Sequence, residues 1–170
     1  MENKKIAIAI SGGVDSSVSA KLLKDRGYDV IGIHMHLGFE NREAEKASKE
    51  VCDFLGIDFV VEDISESFKK EVIDYFLESY RKGLTPNPCV KCNKAIKFGV
   101  LLDAAKKHGA DFLATGHYLQ KRYSKHSIVH SLYKFLVQSF NFNKEHKLFV
   151  SKDNLKDQTY FLYNLNQEIL

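Results

Sequence analysis

Short apolar runs alternate with amphipathic stretches along the first two thirds of the chain. The runs have the length and composition of buried strands in a parallel sheet, and they cover Ile6–Ile10, Asp29–His36, Ile57–Val61 and Asp111–Thr115. The stretches between them carry apolar residues at helical spacing, and they cover Val18–Leu23, Glu43–Leu55, Ser65–Arg81 and Asn93–His108. This alternation predicts a doubly wound α/β fold, with a mainly parallel sheet and helices on both faces.

The pattern weakens after residue 120. Apolar residues between Ile128 and Phe142 fit a helix and a hairpin about equally, and Lys121–Lys147 shows no sharp domain boundary. The aromatic stretch Lys156–Tyr163 fits a core helix. A chain of 170 residues with 44% hydrophobic content is long enough for one core and short for two. We therefore expect one domain over residues 1–170.

Composition and cysteine content indicate the compartment. No apolar run reaches the roughly 18 residues of a membrane span, and Met1–Lys5 lacks the apolar segment of an export signal. Three cysteines, an odd number, favour reduced thiols over a disulfide framework. We expect a cytoplasmic protein that does not contact a membrane.

The net charge of +3 hides an uneven distribution of charge along the chain. The first 80 residues carry 10 Lys/Arg and 16 Asp/Glu, whereas the remaining 90 carry 15 and 6. A basic half is expected of a protein that contacts nucleic acid, although an ordinary solvated surface is the commoner cause of a charge excess. The distribution supports a nucleic-acid partner without establishing one.

The segment Ser11–Ser17 has the composition of a phosphate-binding turn. It follows the first predicted strand and precedes a helix, and it reads Ser-Gly-Gly-Val-Asp-Ser-Ser. Glycines allow close backbone approach, and the start of a helix offers unpaired N–H groups and partial positive charge to an anion. It matches neither the Walker loop nor the dinucleotide fingerprint. The alternative is a glycine-rich βα turn without a ligand.

Cys92 has the surroundings of a reactive thiol. It lies in the loop Leu84–Asn93, which holds both prolines of the chain and is therefore expected to be extended and rigid. A predicted helix start and the neighbouring Lys91, Lys94 and Lys97 should lower the pKa of the thiol. The alternative is half of a zinc site, which we disfavour because no second CxxC or close His pair completes four ligands.

Four motifs in order resemble one known family. SGGVDSS resembles the PP-loop of ATP pyrophosphatases, which cleave ATP between the α- and β-phosphates to adenylate a carbonyl oxygen. Together with TPNPCVKCNKAIKF, DFLATGHY and KDQTYFLYNL, it resembles the amino-terminal catalytic domain of tRNA-specific 2-thiouridylases of the MnmA type. The resemblance spans nearly the whole chain, apart from about residues 122–146. The PP-loop alone would also fit GMP synthetase or NAD synthetase.

The resemblance implies that ATP activates the C2 oxygen of the wobble uridine of a tRNA and that sulfur then attacks that carbon. Cys92 matches the family's nucleophile, which receives a persulfide sulfur from a donor protein. The nucleotide-contacting residues would be Ala9, Ile10, Ser11, Gly12, Gly13, Val14, Asp15, Ser16, Ser17, Met35 and Gly116. The carboxylate of Asp15 would also help to hold Mg²⁺. The tRNA-contacting residues would be Asn87, Pro88, Cys89, Lys156, Asp157 and Gln158.

The chain departs from the family pattern in two ways. Many members carry Asp where this chain has Cys89, so a carboxylate is replaced by a Cys89/Cys92 pair that could ligate part of an iron–sulfur cluster. The family also continues into a central domain and a β-barrel, and its second catalytic cysteine would lie beyond Leu170. A partly competent enzyme is therefore expected. The alternatives are another PP-loop adenylating enzyme, such as a cluster-dependent thiolase or an amidotransferase synthetase, and a non-catalytic nucleotide- or tRNA-binding remnant.

Overall fold

The computed structural model of the chain describes residues 4–39, 42–118, 120–123, 146–149 and 157–169. The chain divides into two compact units, Met1–His117 and Tyr118–Leu170. The expectation that residues 1–170 form one domain stays a prediction. None of the described helices is long and apolar enough to cross a membrane.

Four parallel strands form the sheet of the first unit. They are β1 Lys5–Ala9, β2 Asp29–His36, β3 Asp58–Asp63 and β4 Phe112–Ala114, in the spatial order β3-β2-β1-β4. The chain therefore builds outward from β1 on one side and then crosses to β4 on the other. In such sheets ligands bind where the strand order reverses, beside the carboxyl ends of the strands. Here that position lies between β1 and β4.

The helices of the first unit connect these strands. Two single helices are α1 Val14–Asp25 and α2 Arg42–Leu55. Two longer helical segments each contain wider π-helical turns in which hydrogen bonds reach the fifth residue. The first runs through α3 Ser65–Phe68, a π segment Lys69–Ile73 and α4 Asp74–Arg81. The second runs through α5 Pro88–Lys91, a π segment Cys92–Val100 and α6 Leu101–Lys107, and we call it helix 88–107.

The two faces of the sheet carry separate cores because side chains of a strand alternate between faces. Ala7 of β1 packs on one face with Leu101 and Ala105 of α6. Ile8, the next residue, packs on the other face with Ala20 of α1 and Leu55 of α2. Helices thus cover both faces of a parallel sheet, which confirms the predicted doubly wound α/β fold.

Most predicted elements agree with the structure, with one difference that matters for the site. The bounds of β2 are those predicted, and the first strand and α2 are displaced by one residue or less at each end. The last long helix of the unit was expected to begin at Asn93, but it begins at Pro88. Cys92 is therefore inside a helix and not ahead of one.

The second unit is described only in part. Two short strands, β5 Gln120–Tyr123 and β6 His146–Phe149, pair in antiparallel fashion. The stretch predicted as a core helix forms only a single 3₁₀ turn, Thr159–Phe161, in the part of it that is described. The alternatives for Ile128–Phe142 concern a segment outside the described residues.

Candidate active site

The loop Ser11–Ser17, which we call the PP-loop, joins the carboxyl end of β1 to the start of α1. Gly13 is the N-cap residue of α1 and has an extended backbone, without a side-chain cap. The first N–H groups of an α-helix have no intrahelical acceptor, so the first turn of α1 can donate to an anion. Asp15 is exposed in this turn. The segment therefore has the strand, turn and helix order predicted from sequence.

The serine hydroxyls of the PP-loop hold the loop's own shape. The hydroxyls of Ser16 and Ser17 both donate to the carbonyl of Gly13, at 3.0 and 2.8 Å. The Ser16 hydroxyl also accepts the N–H of Ser11 at 3.3 Å. These hydroxyls have an internal role, because they close the turn around the start of α1.

Gly12 allows the PP-loop to lie against α2. Its backbone is left-handed, with φ of +76°, and a Cβ placed there would be 2.9 Å from the carbonyl oxygen of Ala44 and 2.9 Å from the Cβ of Ala47. Such distances are well inside normal contact, so a larger residue would push the loop away from α2. Gly12 is therefore required both for its conformation and for its close packing.

His34 supports the end of the chain segment that leads into the PP-loop. This side chain of β2 is buried, and its Nδ1 lies 3.1 Å from the carbonyl oxygen of Ile10 and 3.0 Å from the hydroxyl of Ser48. A carbonyl only accepts, so Nδ1 carries the proton and donates. The Ser48 hydroxyl in turn donates to Ala44 at 2.8 Å. This histidine therefore ties β1, β2 and α2 together.

The segment after β4 lies against the first turn of α1. A Cβ at Gly116 would be 2.9 Å from the backbone nitrogen of Ser16 and 3.0 Å from the carbonyl carbon of Asp15. Only a residue without a side chain fits this distance. Gly116 thus lies against the PP-loop at the place where the strand order of the sheet reverses. Its predicted contact with the nucleotide stays a prediction.

Helix 88–107 carries the two cysteines of the CxxC motif. Its N-cap is Asn87, whose side-chain oxygen accepts the N–H of Val90 at 3.3 Å, and Pro88 occupies the first turn, an arrangement typical of helix starts. Cys89 is exposed in this turn, whereas Cys92 is half-buried one turn later. Asn87 therefore has a structural role, and its predicted contact with tRNA stays a prediction.

The predicted low pKa of Cys92 is wrong. Burial raises the pKa of this thiol above its usual value, Lys97 lowers it, and Cys89 raises it further. Two premises of the prediction fail for physical reasons. Cys92 lies a turn beyond the helix start, and Lys91 is paired with Glu71 at 3.5 Å on the preceding helical segment. Of the three neighbouring lysines, Lys97 is the one that offsets the burial of this thiol.

His117 links the segment after β4 to helix 88–107. Its Nε2 lies 3.5 Å from Nζ of Lys97, and its Nδ1 lies 2.7 Å from the hydroxyl of Thr115. Burial, and secondarily Lys97, lowers the pKa of His117 to about 4, so the ring is neutral at pH 7. An ammonium group cannot accept, so Nε2 accepts from Lys97 and Nδ1–H donates to Thr115.

Met35 is the remaining nucleotide-contacting candidate of the first unit. It lies near the carboxyl end of β2, and it packs, partly buried, against the cluster of Ile64, Val72 and Ile96. Cys92 packs against the same cluster. The nucleotide contact expected of Met35 stays a prediction, but the residue lies on the edge of the sheet that carries the PP-loop.

The candidates in the second unit have local partners. The side-chain oxygen of Gln158 accepts the N–H of Tyr118 at 3.0 Å, and the N–H of Gln158 donates to the carbonyl of Tyr118 at 3.1 Å. The hydroxyl of Thr159 donates to Asp157. Lys156 lies outside the described residues. The predicted tRNA contacts of these three residues stay predictions.

The described residues contain no group of three or more His, Cys, Asp or Glu side chains that could hold a metal ion. Mg²⁺ bound with a nucleotide needs only one or two carboxylates, because phosphates and water complete its shell, and Asp15 fits that requirement.

Iron–sulfur clusters commonly take four cysteine ligands. Cys89 and Cys92 provide two, and Cys52 is fully buried against Gly32, so these residues do not fit a cluster.

A parallel sheet with a glycine–serine loop at its point of strand reversal defines a nucleotide-binding α/β domain. Comparison with known families agrees with this class. The family described as tRNA methyl transferase HUP domain matches residues 4–170. The chain belongs to this family.

The relatives of the chain carry the name that the four motifs suggested. The tRNA-specific 2-thiouridylase MnmA 2 of Clostridium botulinum (strain Hall) is 46% identical over 170 residues, which cover 95% of this chain and 42% of the relative. The MnmA of Clostridium perfringens (strain 13) is 42% identical, and the match covers 100% of this chain and 46% of the relative. The chain thus spans less than half the length of these relatives.

A solved structure has the same fold. The predicted subunit of a tRNA methyltransferase from Methanocaldococcus jannaschii superposes with a TM-score of 0.52 at 24% identity, and the match covers 68% of this chain and 53% of that chain. At this identity the likeness concerns the fold alone.

Proposed function

We propose that this chain is the ATP-dependent activating domain of a tRNA 2-thiouridylase. In this role it binds ATP at the PP-loop, and the C2 oxygen of the wobble uridine attacks the α-phosphorus with release of pyrophosphate. The terminal sulfur of a Cys92 persulfide then attacks C2, with AMP as the leaving group. A second thiol, from Cys89 or from a small-molecule reductant, attacks the Cys92 sulfur, so that 2-thiouridine is released and a disulfide remains. Family membership and the names of the relatives support this reaction.

The observation that carries the proposal is a series of contacts that runs from the PP-loop to Lys97, whose charge acts on the thiol. Gly116 lies against the first turn of α1, the adjacent His117 contacts Lys97, and Lys97 acts electrostatically on Cys92. This series supports one site that holds both a phosphate-binding helix start and a thiol. A nucleotide-binding module without chemistry would not need the second half of this arrangement.

The phosphates would be bound by the backbone of the PP-loop, the group of residues Ser11, Gly12, Gly13, Val14, Asp15, Ser16 and Ser17. Ala9 and Ile10 lead into this loop, and Met35 and Gly116 lie on the same sheet edge. The helix start supplies N–H donors and partial positive charge. Asp15 would hold Mg²⁺, which when bound neutralises charge on the phosphates.

The other partners belong to the same proposal. A persulfide-bearing donor protein would deliver sulfur to Cys92, and Asn87, Pro88 and Cys89 would meet the extruded base beside it. Cys89, which is exposed three residues before Cys92, is the further catalytic candidate as the second thiol of the pair. Lys156, Asp157 and Gln158 would contact the tRNA. A cytoplasmic location fits these partners.

The test uses the chain with ATP, Mg²⁺, unmodified tRNA and a persulfide donor, followed by assays of pyrophosphate and 2-thiouridine. Asp15→Asn is expected to lower pyrophosphate release at least tenfold, because it removes the carboxylate that holds the metal. Cys92→Ser is expected to keep ATP binding and pyrophosphate release and to abolish 2-thiouridine.

Three outcomes separate the interpretations. Pyrophosphate without 2-thiouridine from the unaltered chain supports a domain that activates uridine and needs further parts for sulfur transfer. Thiolation that survives Cys92→Ser contradicts the assignment of the nucleophile. A chain that binds no ATP contradicts the proposal as a whole.

A further inference from the structure

The Lys97–His117 contact has a geometry that the proposed reaction does not by itself explain. Lys97 follows Cys92 by five residues on the π segment Cys92–Val100. In an α-helix, residues five apart diverge by more than a third of a turn, but π-helical turns bring them onto nearly the same face. The wide turns therefore direct Lys97 toward the side of the helix that carries Cys92.

His117 fixes the position of this cation. A lysine side chain has several rotatable bonds and would otherwise extend into water. Here the neutral ring offers Nε2 as an acceptor 3.5 Å from Nζ, and the ring itself is held by Thr115 at Nδ1 and by Phe98, whose ring centroid is 6.0 Å away. A neutral acceptor holds an ammonium group without cancelling its charge, whereas a carboxylate would cancel it.

We propose that Lys97 and His117 act as a positioning pair, in which the His117 ring holds the Lys97 ammonium beside Cys92 so that it stabilises negative charge on the cysteine sulfur. The stabilised species are the thiolate and, resting on the proposed function, the anionic terminal sulfur of a persulfide. Cys89 on the same helix opposes the charge. The charge of Lys91, the residue before Cys92, is compensated by Glu71 on the preceding segment, which lies 3.5 Å from it.

The experiment measures the rate at which iodoacetamide alkylates Cys92 between pH 6 and 10, followed by mass spectrometry of the Cys92 peptide. The assay needs neither ATP nor tRNA, so its failure is separate from failure of the proposed function. In Lys97→Gln the alkylation midpoint is expected to rise by about one pH unit, because an opposite charge near the thiolate is lost. Lys94→Gln, two residues from Cys92 on the same helix, is the matched control and should leave the midpoint unchanged.

Two His117 variants test whether the ring acts through Lys97. His117→Phe keeps a ring without an acceptor and should raise the midpoint by less than Lys97→Gln does. His117→Gln keeps an acceptor near the position of Nε2 and should restore a midpoint close to that of the unaltered chain. Adding His117→Phe to Lys97→Gln should cause no further shift, since the two residues act as one unit.

The inference is overturned if Lys97→Gln, shown to be folded by circular dichroism, leaves the midpoint in place. It is equally overturned if Lys94→Gln shifts the midpoint as far as Lys97→Gln does. Additive shifts from Lys97→Gln and His117→Phe would contradict the role of His117 as the residue that positions Lys97.

Discussion

The PP-loop and helix 88–107 are two halves of one candidate site, and they are built in different ways. The PP-loop depends on backbone geometry, since Gly12 lies against α2 and Gly116 lies against α1 at distances that exclude a side chain. The surroundings of Cys92 depend on side chains from separate segments, with Lys97 and His117 twenty residues apart. A short local motif can specify the first kind of structure but not the second.

The largest effect is expected from a methyl group at Gly12. Gly12→Ala and Gly83→Ala both force alanine into a left-handed backbone, with φ of +76° and +71°, which costs about 1–2 kcal/mol in each case. Only Gly12 also meets neighbouring atoms at 2.9 Å, whereas a Cβ at Gly83 meets none within 4 Å. Overpacking should therefore add about 1–3 kcal/mol to the loss of stability at Gly12.

Urea denaturation of both variants measures this difference, and calorimetric titration measures ATP affinity. Gly12→Ala should also weaken ATP binding, because the PP-loop must move away from α2, whereas Gly83→Ala should not. Equal losses of stability in the two variants would show that the contact between the PP-loop and α2 does not stabilise the protein.

These two regions also show which parts of the molecule could be predicted from sequence. The run before Ser11 and the glycines after it specify a strand, a turn and a helix start by local chemistry, and the structure has these elements in that order. The bounds of β2 were predicted for the same reason, since a short apolar run between turn residues has few alternatives. Local signals were sufficient there.

The start of helix 88–107 was missed although a signal was present. Asn87 followed by Pro88 is a common N-cap and first-turn pair, but the two prolines were interpreted as an extended loop. That error placed Cys92 at a helix start and led to the wrong direction for its pKa. The roles of His34 and His117 had no comparable signal, because their partners Ser48 and Lys97 are distant in sequence.

A smaller effect is expected when the support beneath the PP-loop is removed. His34→Leu replaces the ring with an apolar side chain of similar size and leaves the Ser48 hydroxyl and the Ile10 carbonyl without this donor, which should cost about 1–3 kcal/mol. His36→Leu, at the half-buried end of the same strand, is the control and should change stability by about 0.5 kcal/mol or less. Thermal and urea unfolding decide between these values, and equal effects would contradict a special role of the buried ring.

The smallest effect is expected on tRNA affinity, when one lysine near Cys92 loses its charge. Lys94 is exposed on helix 88–107, whereas Lys91 lies nearby but is paired with Glu71 and lies 5.6 Å from the centre of the Tyr75 ring. Each phosphate that a lysine neutralises adds about 0.9 to the slope of log affinity against log salt on a duplex, and less on single strands. If helix 88–107 faces the tRNA backbone, Lys94→Gln should reduce that slope by about 0.7–0.9, and Lys91→Gln should reduce it by less, because its charge is already partly compensated.

Fluorescence anisotropy with labelled tRNA at several salt concentrations measures both slopes. The loss should be similar for different tRNAs, since phosphate contacts position an RNA without distinguishing its sequence. Equal slopes for Lys94→Gln and the unaltered chain would show that this side of the helix does not contact the tRNA phosphates.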